Sequence, residues 1–151
     1  MGSLLFEAGD YEHALRMYMR QFLHLYPFHK HLNEKEHEYM VRSFMGIAAV
    51  QCELGRYDES IKLFNDTINY INNNLNKDNR KNYQADVYYA QSLPLSEKGE
   101  YLDALKQCHH ALQILINHDF YDSLVPRCFE MIGNIYGSLG GTEKTKGNTN
   151  G

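Results

Sequence analysis

The side chains able to do chemistry in this chain are eight histidines, three cysteines and a set of isolated glycines, and their spacing decides what chemistry that is. His29, His31 and His37 stand close together and His109 and His110 are adjacent. None falls in an HExxH or a Cys/His arrangement, and no carboxylate sits at the spacing that would complete a metal site. The first group reads as loop decoration between two helical hairpins, the second as a helix surface. Cys52, Cys108 and Cys128 are odd in number and far apart, unlike the close pairs of a zinc or redox motif, and read as free thiols filling apolar positions in a reduced protein. The glycines are single, each followed by a helix-forming segment, and lack the Lys-Ser/Thr ending of a phosphate-cradling loop. A nucleophile elbow is absent and no local motif implies a Ser-His-Asp or Cys-His set. The expectation is a protein that is not an enzyme and holds neither metal nor cofactor.

Positioning then becomes the question. With 151 residues, 43% of them hydrophobic, the chain suffices for one domain with a continuous core. Fifteen Lys and Arg against 19 Asp and Glu leave a formal charge of -4, which gives no broad attraction to nucleic acid or to an anionic membrane. Apolar stretches such as Leu112 to Ile116, interrupted only by Gln113, fall far short of the roughly 20 residues that span a bilayer. No basic segment followed by an apolar stretch opens the chain, so a cytoplasmic protein is expected.

The glycines also mark a repeat. Segments around Gly9, Gly55, Gly99 and Gly140 align, and the first three share Gly-x-Tyr-x-x-[Ala/Ser]-[Leu/Ile], in Gly9 to Leu15, Gly55 to Ile61 and Gly99 to Leu105. Glycine ends one helix by accepting a left-handed conformation. The tyrosine begins the next helix, and Ala14, Ser60 or Ala104 is small enough to let the two approach. Apolar residues at three-to-four spacing, such as Ile61, Phe64 and Ile68, then form one buried stripe. The expected fold is all-α: an antiparallel helix-hairpin solenoid over residues 1–140, about three hairpins plus one further helix, followed by a disordered polar tail over 141–151. Pro94 is expected to kink or shorten its helix, and Gly140-Gly141 to stop the last one.

This pattern resembles the tetratricopeptide repeat. Phe129, Ile132, Gly133, Tyr136 and Gly140 match its first helix closely, Phe44, Ile47 and Ala48 match in the second repeat, and Tyr88 in the third. The glycine spacings of 46, 44 and 41 residues exceed its usual length, about 34 residues. The extra residues fall at Pro27 to Glu38, Asn72 to Asn79 and Asn117 to Ser123 or lengthen the second helices. Such long repeats are similar to the peptide-receptor region of bacterial quorum-sensing transcription regulators. Leu4 to Ala8 is too short for a full first helix and the fourth hairpin has no second helix, so a fragment is expected, or self-association as a homodimer through the exposed end faces.

The resemblance implies recognition on the concave face, lined by the first helix of each hairpin. Counting back thirteen residues from the glycines gives Arg42, Asp86 and Arg127; ten back gives Met45, Tyr89 and Glu130; six back gives Ala49, Leu93 and Asn134. An arginine can hold a peptide carboxylate with two parallel hydrogen bonds, and Asn134 can pair with peptide backbone in both directions. The expected function is therefore binding of a short signalling peptide or partner segment, as the regulatory part of a bacterial transcription regulator whose DNA-binding module lies outside these residues. The alternative is a constitutive protein-protein interaction scaffold; a carboxylate clamp of Lys and Asn residues, as in co-chaperone versions of the repeat, is matched only by Asn134.

Overall fold

The computed structural model describes residues 8–25, 27, 31–118 and 123–149. Six helices occur among them: α1 (Ala8–Leu25), α2 (Glu34–Glu53), α3 (Tyr57–Asn74), α4 (Lys77–Lys98), α5 (Tyr101–Asn117) and α6 (Leu124–Thr149). Each packs on the next, and α2 also meets α4, as α4 meets α6. The chain is all-α, with sequential packing consistent with antiparallel hairpins.

Two turns make the hairpins. Gly55 and Gly99 are left-handed, at φ 79° and 90°. At each, the glycine N–H donates to the carbonyl three residues back, Cys52 or Ser96, and the following N–H donates to the carbonyl five back, Gln51 or Leu95. These paired bonds close the helix and turn the chain within two residues. The small position does what its size suggests: Ser60 is fully buried, and its hydroxyl donates to the Ala48 carbonyl of α2 over 2.6 Å.

The other two glycines behave differently. Gly9 lies inside the first turn of α1, which starts at Ala8 rather than at Tyr11; residues 1–7, including Leu4 to Glu7, lie outside the described residues. Gly140 and Gly141 lie inside α6, whose backbone stays helical to Thr149, past the expected stop. A helix glycine costs about 1 kcal/mol but terminates nothing unless the chain reverses there. Pro94 likewise does not shorten α4: it is buried in a helix of 22 residues. The start of α2 is earlier than the repeat suggests, because Asn33 and Glu36 form a reciprocal capping box.

The core runs along the helix interfaces. Ala14, Leu15, Ile47 and Val50 join α1 to α2. Val41, Ala48, Phe64, Ile71, Leu75 and Val87 join α2, α3 and α4. Cys108, Cys128, Leu112 and Ile135 join α5 and α6 to the rest. All three cysteines are buried thiols, small apolar fillers of these interfaces.

The α1/α2 interface is tightly packed at Gly46, where an added Cβ would stand 2.5 Å from Cε1 of Tyr18. Gly46→Ala is therefore expected to lower stability by about 1–2 kcal/mol despite alanine's better helix propensity. In a double-mutant melting series, the same change in a Tyr18→Ala background should become stabilising. The Gln51 side-chain oxygen is buried without a partner, whereas the equivalent position in the next repeat is Leu95. Gln51→Leu should raise denaturant stability by about 1 kcal/mol; a loss would show that the amide is satisfied in solution.

Candidate functional site

The α2/α4 contact creates a cleft of about 440 Å³. On α2, residues 38, 42 and 45 recur at helical spacing and so share one face; on α4, residues 79, 82, 83 and 86 do the same. The cleft is lined by Glu38, Arg42 and Met45 on one side and Asn79, Asn82, Tyr83 and Asp86 on the other. Glu34 holds one end closed, since its Oε1 accepts from the Asn76 backbone N–H and from Asn79 Nδ2, each over 2.9 Å.

A relay crosses the cleft. Arg42 Nη2 donates to Tyr83 Oη over 3.0 Å, and that hydroxyl donates to Glu38 Oε1 over 3.2 Å. The guanidinium carbon lies 5.9 Å from the Tyr83 ring centroid. Burial raises the Tyr83 hydroxyl above the usual phenol range, with Arg42 opposing and Glu38 adding to the shift. The phenol stays protonated and passes the arginine's hydrogen bond on to the carboxylate. Arg42 has five N–H donors, so most of its fork remains for a ligand.

Of the nine expected groove positions, Arg42, Met45 and Asp86 meet in this cleft. Tyr89, Arg127 and Glu130 form a second set at the α4/α6 step. The half-buried Tyr89 hydroxyl is raised first by desolvation; the Arg127 charge opposes this and Glu130 adds to it. Asn134 is exposed further along α6, and Ala49 on α2 and Leu93 on α4 are exposed as well. Glu38, Asn79, Asn82 and Tyr83 were not expected. Glu38 and Asn79 fell in segments assigned between hairpins, although Glu38 stands one turn before Arg42 on the same face.

The histidines divide. His29 lies outside the described residues, and among those described no group of three or more His, Cys, Asp or Glu side chains could hold a metal ion. His37 is not loop decoration: it lies in α2, buried, with its Nδ1 and the Tyr70 hydroxyl hydrogen-bonded over 2.7 Å. His109 is exposed on α5, while His110 is half-buried with its ring edge-on to Tyr88. Among the described residues no helix is long and apolar enough to cross a membrane. No protein-family model, curated protein or solved structure matches the chain.

Burial pushes the Tyr70 hydroxyl up from 10.0 to about 12. It pushes the Cys52 thiol up from 9.0 to about 12, helped by the charges of Glu53 and Glu97. Both groups are neutral in the folded state at a pH where the unfolded chain ionises, so the stability they contribute is complete below their unfolded values and lost as pH rises to the folded ones. Alkaline unfolding should therefore show stability falling from pH 9 toward pH 12. Tyr70→Phe and Cys52→Ala should each flatten that slope, and an unchanged slope in both would refute the assignment.

Proposed function

We propose that this chain binds a short extended peptide along the face formed by α2, α4 and α6. The α2/α4 cleft carries the reading: it gathers a charge-bearing fork, an aromatic, an apolar Met45 and two amides within one opening. Asn79 and Asn82 suit a peptide backbone, which needs donors and acceptors in alternation. The Arg42 fork suits a carboxylate, and Arg127 repeats that chemistry one step further on. Contacts of α2 with α4 and of α4 with α6 support a tetratricopeptide-like frame in which these first helices line a concave surface. On that reading the chain is the signal-peptide-sensing part of a bacterial transcription regulator, and a filled groove would bias the relative setting of the hairpins.

A constitutive interaction scaffold is the second reading. It is favoured by Phe129 and Tyr136 on α6, which are 58% and 57% exposed, where the corresponding faces of α2 and α4 are covered by α3 and α5.

A calorimetric screen of short synthetic peptides separates the two. Arg42→Ala should weaken the best peptide by about tenfold, the loss expected for a hydrogen bond to a charged group. Its melting temperature should stay within the small range of surface substitutions, because Arg42 is exposed. Arg127→Ala should behave likewise. Undiminished affinity in both variants would remove this face as the site, and binding only to a folded protein would favour the scaffold.

A further inference from the structure

We propose that a second cleft, between the first half of α4 and the second half of α5, is a binding site for a small carboxylate. Its volume of about 370 Å³ lies within the range of small-ligand pockets. Lys81 and Gln84 line it from α4, His110, Gln113 and Asn117 from α5, and His118 closes the end. No lining side chain is acidic.

The donors converge by helical spacing. Residues 110, 113 and 117 are three and four apart, so His110, Gln113 and Asn117 share one face of α5. Their two amides each offer N–H donors to the opening. Across from them Lys81 brings the one fixed positive charge. Gln84 is buried and spends one of its two Nε2 protons on Asn72 Oδ1, so it forms the wall of the cleft.

His110 supplies the directional group. Its Nδ1 is buried without a hydrogen-bond partner. A buried N–H left unpaired is rarer and costlier than a bare acceptor, so the neutral ring keeps its proton on Nε2. The ring is held against Tyr88, with centroids 5.2 Å apart and planes at 68°, which restricts how it can turn. Nε2–H is then the ring's remaining donor, and His110 stands between this cleft and the neighbouring one lined by Asp103 and Gln107.

One ammonium and three neutral donors match a carboxylate, which carries a single charge and about four acceptor positions. A phosphate would bring closer to two charges and leave one of them uncompensated. The site is independent of the α2/α4 cleft and of any peptide bound there.

The test follows the His110 ring signals of the full chain by NMR while sodium butyrate, or inorganic phosphate in a parallel series, is added. Butyrate should produce a saturable shift. Lys81→Ala, at an exposed position that leaves the fold intact, should weaken that binding by about tenfold. His110→Phe, which keeps the ring contact with Tyr88, should weaken butyrate binding as read on the His118 ring, and His109→Phe on the exposed neighbouring position should not. Saturation by phosphate but not butyrate overturns the carboxylate assignment. No saturable shift with either anion overturns the site, and butyrate affinity unchanged in Lys81→Ala overturns the role given to its charge.

Discussion

The closeness of α2 and α3 is the constraint on which the rest of the structure depends. The left-handed Gly55 reverses the chain so abruptly that α3 must run back along α2, and only a small side chain fits where the two cross. Ser60 meets both demands, being small and able to spend its hydroxyl on the Ala48 carbonyl. A larger residue there would push α3 outward. Because α3 packs on both α2 and α4, that displacement would also change the distance across the α2/α4 cleft.

The repeat sets geometry while leaving chemistry free, as two equivalent grooves show. Between α3 and α5, Gln91 is buried and its Nε2 donates to the Ile61 carbonyl and to Asn65 Oδ1, while Gln107 donates to Gln91 Oε1. This amide chain ties three helices together through paired polar groups, which fixes their setting as well as their distance. Shifted back by one repeat, the same positions are Met19, Ile47 and Leu63, which line the groove between α1 and α3. There the contact is apolar and its geometry less directional. An ion pair, Arg56 to Glu12 at 3.1 Å, links the turn regions instead, but both partners are half exposed and such a pair contributes little.

What could be read from the sequence was local. The Gly-x-Tyr-x-x-small pattern specifies a turn and a crossing within seven residues, so Gly55, Gly99, Ser60 and Ala104 stand where they were expected. Gly9 and Gly140 carry the same letter without the same consequence, because a glycine permits a turn and does not impose one. The start of α2 was also written locally, in Asn33 and Glu36, but the repeat register drew attention to the later Phe44 and hid it. Arg42, Met45 and Asp86 were legible as groove residues because register alone places them on facing helices. The relay through Tyr83 to Glu38 was not, since it needs the lateral fit of α2 against α4, which no periodicity within either helix contains.

That lateral fit rests on Glu34. The N-cap residue of α4, Asn76, makes no side-chain capping bond, and its backbone N–H is taken instead by the Glu34 carboxylate of α2, which also accepts from Asn79. A carboxylate at a helix N-terminus is favoured by the unpaired N–H groups and by the helix dipole, so this contact stabilises α4 and registers it against α2 at once. Arg80 adds a bond from its Nε to the Leu75 carbonyl, tying the α3–α4 turn to the same end. The cleft is thus built on two helices pinned beside one end, with Arg42, Tyr83 and Glu38 already hydrogen-bonded to one another. A site arranged this way has less side-chain freedom to lose when it is filled, which is the condition under which a few well-placed polar groups can give useful affinity.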